Sequence, residues 1–104
     1  MNKVELVGFA GMDPEIKNVG KAKLATFSLA TSEGYKREGE WVNNTQWHRI
    51  VGWNKLAEEI AANVKKGKKL SVTGKIVYRQ YEDKGGNKRR ETEIMVFEVM
   101  EALR

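Results

Sequence analysis

The sequence predicts an all-β fold: five strands closing a small Greek-key barrel, with one helix between the third and fourth strands. Three observations predict it. Residues 22–31 and 70–83 alternate apolar and polar side chains, the period of a half-buried strand. Residues 54–66 alone repeat apolar side chains at four-residue spacing, the period of a helix. Glycine, asparagine, aspartate and the single proline punctuate the intervals.

The elements follow in order. Residues 4–9 are rich in strand formers and break at Gly8, Gly11 and the turn signal Asp13-Pro14. In 22–31, Ala25, Phe27 and Leu29 share one face, with Thr26 and Ser28 on the other. Residues 34–44 carry charges, two glycines and two asparagines, and read as a hairpin loop whose arms are partly strand-like. Residues 45–53 form the third strand. In 54–66, Asn54 is placed as an N-cap, and Glu58 and Glu59 sit near the positive end of the helix dipole. Leu56, Ile60 and Val64 make a narrow apolar stripe, Lys65 and Lys66 lie at the negative end, and Gly67 is placed to terminate the helix. Leu70, Val72, Gly74 and Ile76 face one way in the fourth strand; Ser71, Thr73, Lys75, Val77, Arg79 and Tyr81 face the other. Residues 83–88 form a glycine-bearing hairpin tip, and 89–100 return as the fifth strand. This order matches the OB-fold, whose sheet face and loops hold oligonucleotides, although order alone leaves other small α+β folds open.

At 104 residues the chain fits one domain, 1–104, which buries roughly two-thirds of its unfolded surface. No cysteine is present, so disulfides, thiolate chemistry and cysteine-ligated metals are excluded. No cofactor or metal is expected. One histidine and no glycine-rich phosphate loop leave no catalytic set; Glu58 and Glu59 are helix neighbours that point apart. The net charge of +5, from 19 Lys and Arg against 14 Asp and Glu, favours a polyanionic partner. No long apolar run or charged-then-apolar leader occurs, so membrane association and export are not expected, and a cytoplasmic, nucleoid-associated location is.

The chemistry concentrates in Thr45-Gln46-Trp47-His48-Arg49-Ile50-Val51-Gly52-Trp53. As a strand this places Trp47, Arg49, Val51 and Trp53 on one face and His48, Ile50 and Gly52 on the other. Two large rings interleaved with a guanidinium make a poor dry core, because an unpaired buried guanidinium is costly. They make a good surface for unpaired bases: the rings stack, and Arg49 offers charge to the phosphates between. Six strand residues separate the rings by roughly 20 Å, a span suited to several nucleotides. Tyr81 with Arg79 and Lys75 extends the pattern to the fourth strand. Lys84, Lys88 and Arg89 at the hairpin tip read as a basic arm able to close on a phosphate chain.

These residues carry a family resemblance over essentially the full length. Asn2-Lys3-Val4-Glu5-Leu6-Val7-Gly8 with Asp13-Pro14-Glu15, Phe27-Ser28-Leu29-Ala30-Thr31-Ser32-Glu33, and Thr45-Gln46-Trp47-His48 are similar to bacterial single-stranded DNA-binding proteins of the homotetrameric type. Lys55-Leu56-Ala57-Glu58, Lys66-Gly67 and Val72-Thr73-Gly74-Lys75-Ile76 continue the likeness in the same order. The resemblance implies single-stranded DNA as partner, without strong sequence preference, in replication, recombination and repair. It puts base-stacking rings at Tyr35, Trp47, Trp53 and Tyr81; familiar members have Trp or Phe where Tyr35 and Tyr81 stand. Trp41 has no clear family counterpart and reads either as an extra ring or as a clasp over its loop. The resemblance also implies a homotetramer whose contacts involve the first strand (Val4, Glu5, Leu6) and His48. Glu5 and Phe9 depart from the family pattern there, which leaves a dimer open. The family's glycine- and proline-rich linker and acidic tip do not occur in these residues, which end at Glu101-Ala102-Leu103-Arg104, so tail-mediated recruitment of replication and repair partners is not expected of them. Two other readings remain: a protein-interaction OB module of the primosome type, and an RNA-binding OB domain.

Overall fold

The computed structural model of the chain describes residues 1–102; Leu103 and Arg104, where the expectation about the family's tail falls, lie outside the described residues. The elements are β1 (Val4–Ala10), β2 (Glu15–Val19), β3 (Ala22–Arg37), β4 (Glu40–Trp53), α1 (Lys55–Asn63), β5 (Lys69–Glu82) and β6 (Lys88–Glu101). The strands lie in the order β1-β5-β6-β4-β3-β2, and β1 also pairs with β3. Five strands therefore close on themselves, β1-β5-β6-β4-β3-β1, with the helix between β4 and β5 in sequence, as the OB-fold requires. Closure rests on short seams. β1 meets β3 only at Phe9↔Ala30 and Ala10↔Leu29, and β4 meets β6 in parallel only at Ile50↔Ile94 and Val51↔Met95.

The inward faces supply the core. Ala25, Phe27 and Leu29 of β3 pack with Ile50 of β4, Leu70 and Val72 of β5, and Ile94, Val96 and Val99 of β6. The helix closes one end with Ala57 and Ile60, followed by Val64. Ile60 reaches the space left by the absent side chain of Gly52. A bulge in the β5–β6 ladder between Thr73 and Gly74 leaves Phe97 as the extra residue; bare Gly74 lets the Met95 carbonyl approach.

The structure departs from the sequence expectation in three places. First, there are six strands. β2 hangs outside the closed ring as a hairpin with β3, turned at Gly20 (φ 60°). All five of its side chains are exposed, so no buried face marks it in the sequence. Second, residues 34–44 are not a loop. The β3–β4 ladder continues to Arg37↔Glu40 and turns in two residues, Glu38 and Gly39, both at positive φ. That conformation is a type I′ turn, which matches strand twist. Both faces of this arm are largely solvated, so its residues lack alternation.

Third, the helix is shorter, Lys55–Asn63. Asn54 does not cap it with its side chain. Its carbonyl accepts the first helical bond from Glu58, while its side-chain oxygen accepts the Lys23 N–H at 3.1 Å, tying the helix start to β3. The chain leaves the helix where Val64 becomes extended and enters the core. Lys65 and Lys66 follow in a turn in which Gly67 takes φ 87°. Asp13 accepts the Lys66 N–H at 2.9 Å and so fastens the first turn of the chain to the end of the helix.

Gly8 is where closure can be tested. A Cβ there would collide with the backbone carbonyl of Ala30 on β3, and neither strand can yield without opening the seam. Gly8→Ala is expected to cost about 1–3 kcal/mol, the usual penalty of overpacking. Denaturant melts followed by circular dichroism check this; a variant as stable as the parent would show the seam to be loose.

Candidate nucleic-acid interface

The unbroken β3–β4 register puts Trp41, Asn43, Thr45, Trp47, Arg49, Val51 and Trp53 on one face of β4. Their partners on β3 are Lys36, Gly34, Ser32, Ala30, Ser28, Thr26 and Leu24. Most of these are small, so the rings stand clear of the sheet and also find places to lean. Trp41 lies across bare Gly34, and its indole N–H donates to Asn43 Oδ1 at 3.1 Å. Trp47 rests its ring edge against Gly11. Trp41 is 65% exposed, Trp47 63% and Trp53 36%. Trp41 thus joins the row of rings as a sixth-residue continuation of Trp47 and Trp53, which residues 34–44 read as a loop did not suggest.

Val51 pairs with Met95 of β6, and Met95 with Lys75 of β5, so the same face continues across the sheet. It brings in Lys75, Val77, Arg79 and Tyr81 opposite Met95, Glu93, Glu91 and Arg89. A groove runs over this face beside β2, lined by Lys17, Leu24, Thr26, Arg49, Val51 and Trp53, with Arg79 and Glu93.

Arg49 and Arg79 are not free cations. Arg49 Nε donates to Glu93 Oε2 at 2.6 Å, and Arg79 Nε reaches the same oxygen at 3.3 Å. Arg79 also donates through Nη2 to Glu91 Oε2. The Glu93 side chain is only 9% exposed, so its charge is compensated by two guanidinium groups rather than by water. These contacts, Glu91 first, raise the Arg79 pKa further above its ordinary value, so the group stays charged. Its guanidinium stands 5.1 Å from the centre of the Tyr81 ring, in cation–π range. Glu91 and Glu93 lie on this face with the arginines and were not singled out from the sequence. The signal was present: counting back from the hairpin tip pairs Arg79 with Glu91.

Other expected residues fall elsewhere. Tyr35 pairs with Val42 and lies on the opposite face of the β3–β4 arm from the three tryptophans. Tyr78, half-exposed with Arg90 4.6 Å over its ring, occupies the corresponding reverse face of the β5–β6 arm and was not anticipated. Val4 and Leu6 pack against the chain's own core, while Glu5 is exposed and pairs with Lys3 at 3.1 Å. The outward apolar side chains of β1 are Val7 and Phe9, each about half exposed. His48 lies opposite the rings and shares a 2.8 Å hydrogen bond with Thr31 Oγ1. Lys75, Lys84 and Lys88 make no ion pair among the described residues.

The hairpin tip is organised by Asp83. Its Oδ1 accepts the N–H groups of Gly85 (3.0 Å) and Asn87 (2.9 Å), and its Oδ2 accepts Arg89 Nε at 2.9 Å. Arg89 therefore holds the tip, and Lys84 and Lys88 project their charge from it. Among the described residues no group of three or more His, Asp or Glu is placed to hold a metal ion. No helix among them is long and apolar enough to cross a membrane.

A closed sheet of this topology, with a row of open rings on one face, defines an OB-fold domain. Comparison with known proteins makes the class specific. The profile described as the single-strand binding protein family matches residues 1–101, and the chain belongs to that family. It is 41% identical over 98 residues to single-stranded DNA-binding protein 1 of Chlorobaculum tepidum, covering 91% of this chain and 60% of that protein. It is 35% identical over 102 residues to the mitochondrial single-stranded DNA-binding protein of Drosophila melanogaster, covering 96% and 70% respectively. The chain thus spans well under the full length of both relatives. A solved Plasmodium falciparum SSB complex with ssDNA superposes with a TM-score of 0.87 at 32% identity, over 98% of this chain and 95% of that one.

The tip yields a pH expectation. Arg89 first, and then the Asn87 N–H, hold the Asp83 carboxyl below its ordinary 3.8. A depressed folded-state value means the ordering is fully present above 3.8 and is lost as pH falls through the lower value. NMR titration should find Asp83 protonating below 3.8, with the Gly85 and Asn87 amides losing their shifts in step. A midpoint at or above 3.8 would mean that Asp83 does not hold the tip.

Proposed function

We propose that this domain binds single-stranded DNA without strong sequence preference, stacking bases on Trp47, Trp53, Trp41 and Tyr81. The observation that carries the reading is the row Trp41, Trp47, Trp53: three open rings at six-residue intervals along one strand face. Each interval spans roughly 20 Å of strand, room for several nucleotides. Every base has a π-face, so stacking tolerates sequence, and duplex DNA hides those faces. Lys75, Lys84 and Lys88, with no carboxylate to satisfy among the described residues, supply the phosphate contacts. Tyr35, on the reverse face, suits a strand that passes around the edge of the β3–β4 arm.

Bound in this way, a strand is kept from re-pairing and from nucleases during replication, recombination and repair. The proteins of this family are non-catalytic, and this reading assigns no reaction. The cytoplasm and nucleoid of a bacterial host suit such a substrate. The domain also self-associates in this reading, as the family resemblance implies. Val7 pairs with Ser71 and Ser71 with Met100, which sets exposed Val7 and Met100 on either side of the small Ser71, with exposed Phe9 farther along β1.

Titration with oligo-dT at low salt should strongly quench tryptophan emission; unchanged emission would overturn the reading. Trp47→Ala and Trp53→Ala should each weaken binding by about 1–3 kcal/mol, the worth of one stacked base, with little change in salt dependence. Lys84→Ala with Lys88→Ala should instead flatten the plot of log K against log salt by roughly 0.7 per lysine. Equal salt responses from the two classes would refute this division of labour. For assembly, Phe9→Glu should reduce the mass measured by light scattering; an unchanged mass would move the contact away from these side chains.

A further inference from the structure

The cluster of two arginines and two glutamates on the ring-bearing face carries no net charge. Arg49 and Arg79 contribute two positive charges, and Glu93 and Glu91 cancel both. The two Nε atoms converge on one oxygen of a nearly buried carboxylate. Side-on attachment through Nε fixes each guanidinium plane and leaves terminal N–H groups free on Arg49, which makes no other hydrogen bond among the described residues. Both arginine side chains remain nearly half exposed, at 41% and 47%. Arg49 lies on the same strand face as Trp47 and Trp53, and Arg79 lies beside Tyr81.

A phosphate is attracted by net charge, and this cluster has none to offer. A nucleobase is uncharged, flat and edged with hydrogen-bonding groups, and it stacks on a guanidinium plane as it does on an aromatic ring. We propose that Glu93, supported by Glu91, is a specificity-determining positioning residue. It holds Arg49 and Arg79 as flat, neutralised plates that take bases, and leaves the phosphates to the unpaired lysines. The inference rests on the single-stranded DNA reading above and assigns a role that the arginines' sequence positions do not show.

The test is the salt dependence of oligo-dT binding by the intact chain carrying Glu93→Gln or Glu91→Gln, followed by tryptophan emission. Either substitution removes one negative charge while keeping side-chain size. A freed guanidinium then acts as one more phosphate contact, so the plot of log K against log salt should steepen by roughly 0.7, with tighter binding at low salt. A purely structural carboxylate would change melting temperature or affinity without steepening that plot. Glu91 is the more exposed of the two, so its variant decides the matter if Glu93→Gln does not fold. If the parent chain binds oligo-dT and both folded variants keep or flatten its slope, the neutral-plate role is wrong and the DNA reading stands. If the parent chain gives no quenching at all, the DNA reading itself fails and takes this role with it.

Discussion

The unslipped pairing of β3 with β4 is the constraint on which the rest of the structure depends. From Leu24↔Trp53 to Arg37↔Glu40 no residue is inserted or lost. A single slip would send Trp41, Trp47, Arg49 and Trp53 to the opposite face and turn His48, Ile50 and Gly52 outward. The register is held at both ends by different means. At the barrel end, Phe27, Leu29 and Ile50 are fully buried, and exposing them would forfeit several kcal/mol of burial. At the far end, the two-residue turn at Glu38-Gly39 admits only one alignment of its arms. Between them, Thr31 with His48 and Ser32 with Thr45 add side-chain bonds across the ladder.

Given that register, a large apolar ring on a solvated face is a cost to be offset. The neighbours of each ring show how. Gly34 and Gly11 present bare backbone to Trp41 and to the ring edge of Trp47, so each indole has a support while much of the ring stays open. Asn43 fixes the Trp41 orientation through its N–H. A ring ordered beforehand loses less rotamer freedom when a ligand stacks on it. The two readings of Trp41 are compatible: its ring lies over Gly34 and still stays 65% exposed. The same logic applies to the arginines, whose planes are set by Glu93 before any ligand arrives.

Much of this was legible in the sequence wherever one face of an element is buried. Ala25-Phe27-Leu29, Leu70-Val72 and Ile60-Val64 carry clean periods because the core imposes them. The same alternation placed Trp47, Arg49 and Trp53 together and His48 opposite. Where neither face is buried, period fails as a signal: β2 and the β3–β4 arm were missed for that reason, so Trp41 was singled out as a ring but placed in a loop rather than on the strand. The glutamates were missed for another. A charge on a strand face reads as solvated unless its cross-strand partner is known, and the pairing of Arg79 with Glu91 depends on the tip turn closing at Asp83 and Asn87. Asn54 shows a third cause: a residue suited to capping is used instead to hold Lys23 of another strand.

Charge distribution over the face follows from these placements rather than from composition. The chain's net +5 favours a polyanionic partner without saying where on the surface the charge lies. Local pairing divides it. Arg49, Arg79 and Arg89 spend their charge on Glu93, Glu91 and Asp83, all within the β4–β6 face and its tip. Lys75, Lys84 and Lys88 keep theirs. Guanidinium groups are suited to the first role, being planar and able to bind a carboxylate side-on, whereas the ammonium of lysine is a compact point charge on a mobile stem. A ligand with flat neutral units joined by a charged backbone meets both kinds of surface at once, flat and fixed at the centre, charged and adaptable at the rim. Single-stranded DNA has that composition, and a small anion or a folded acidic protein does not.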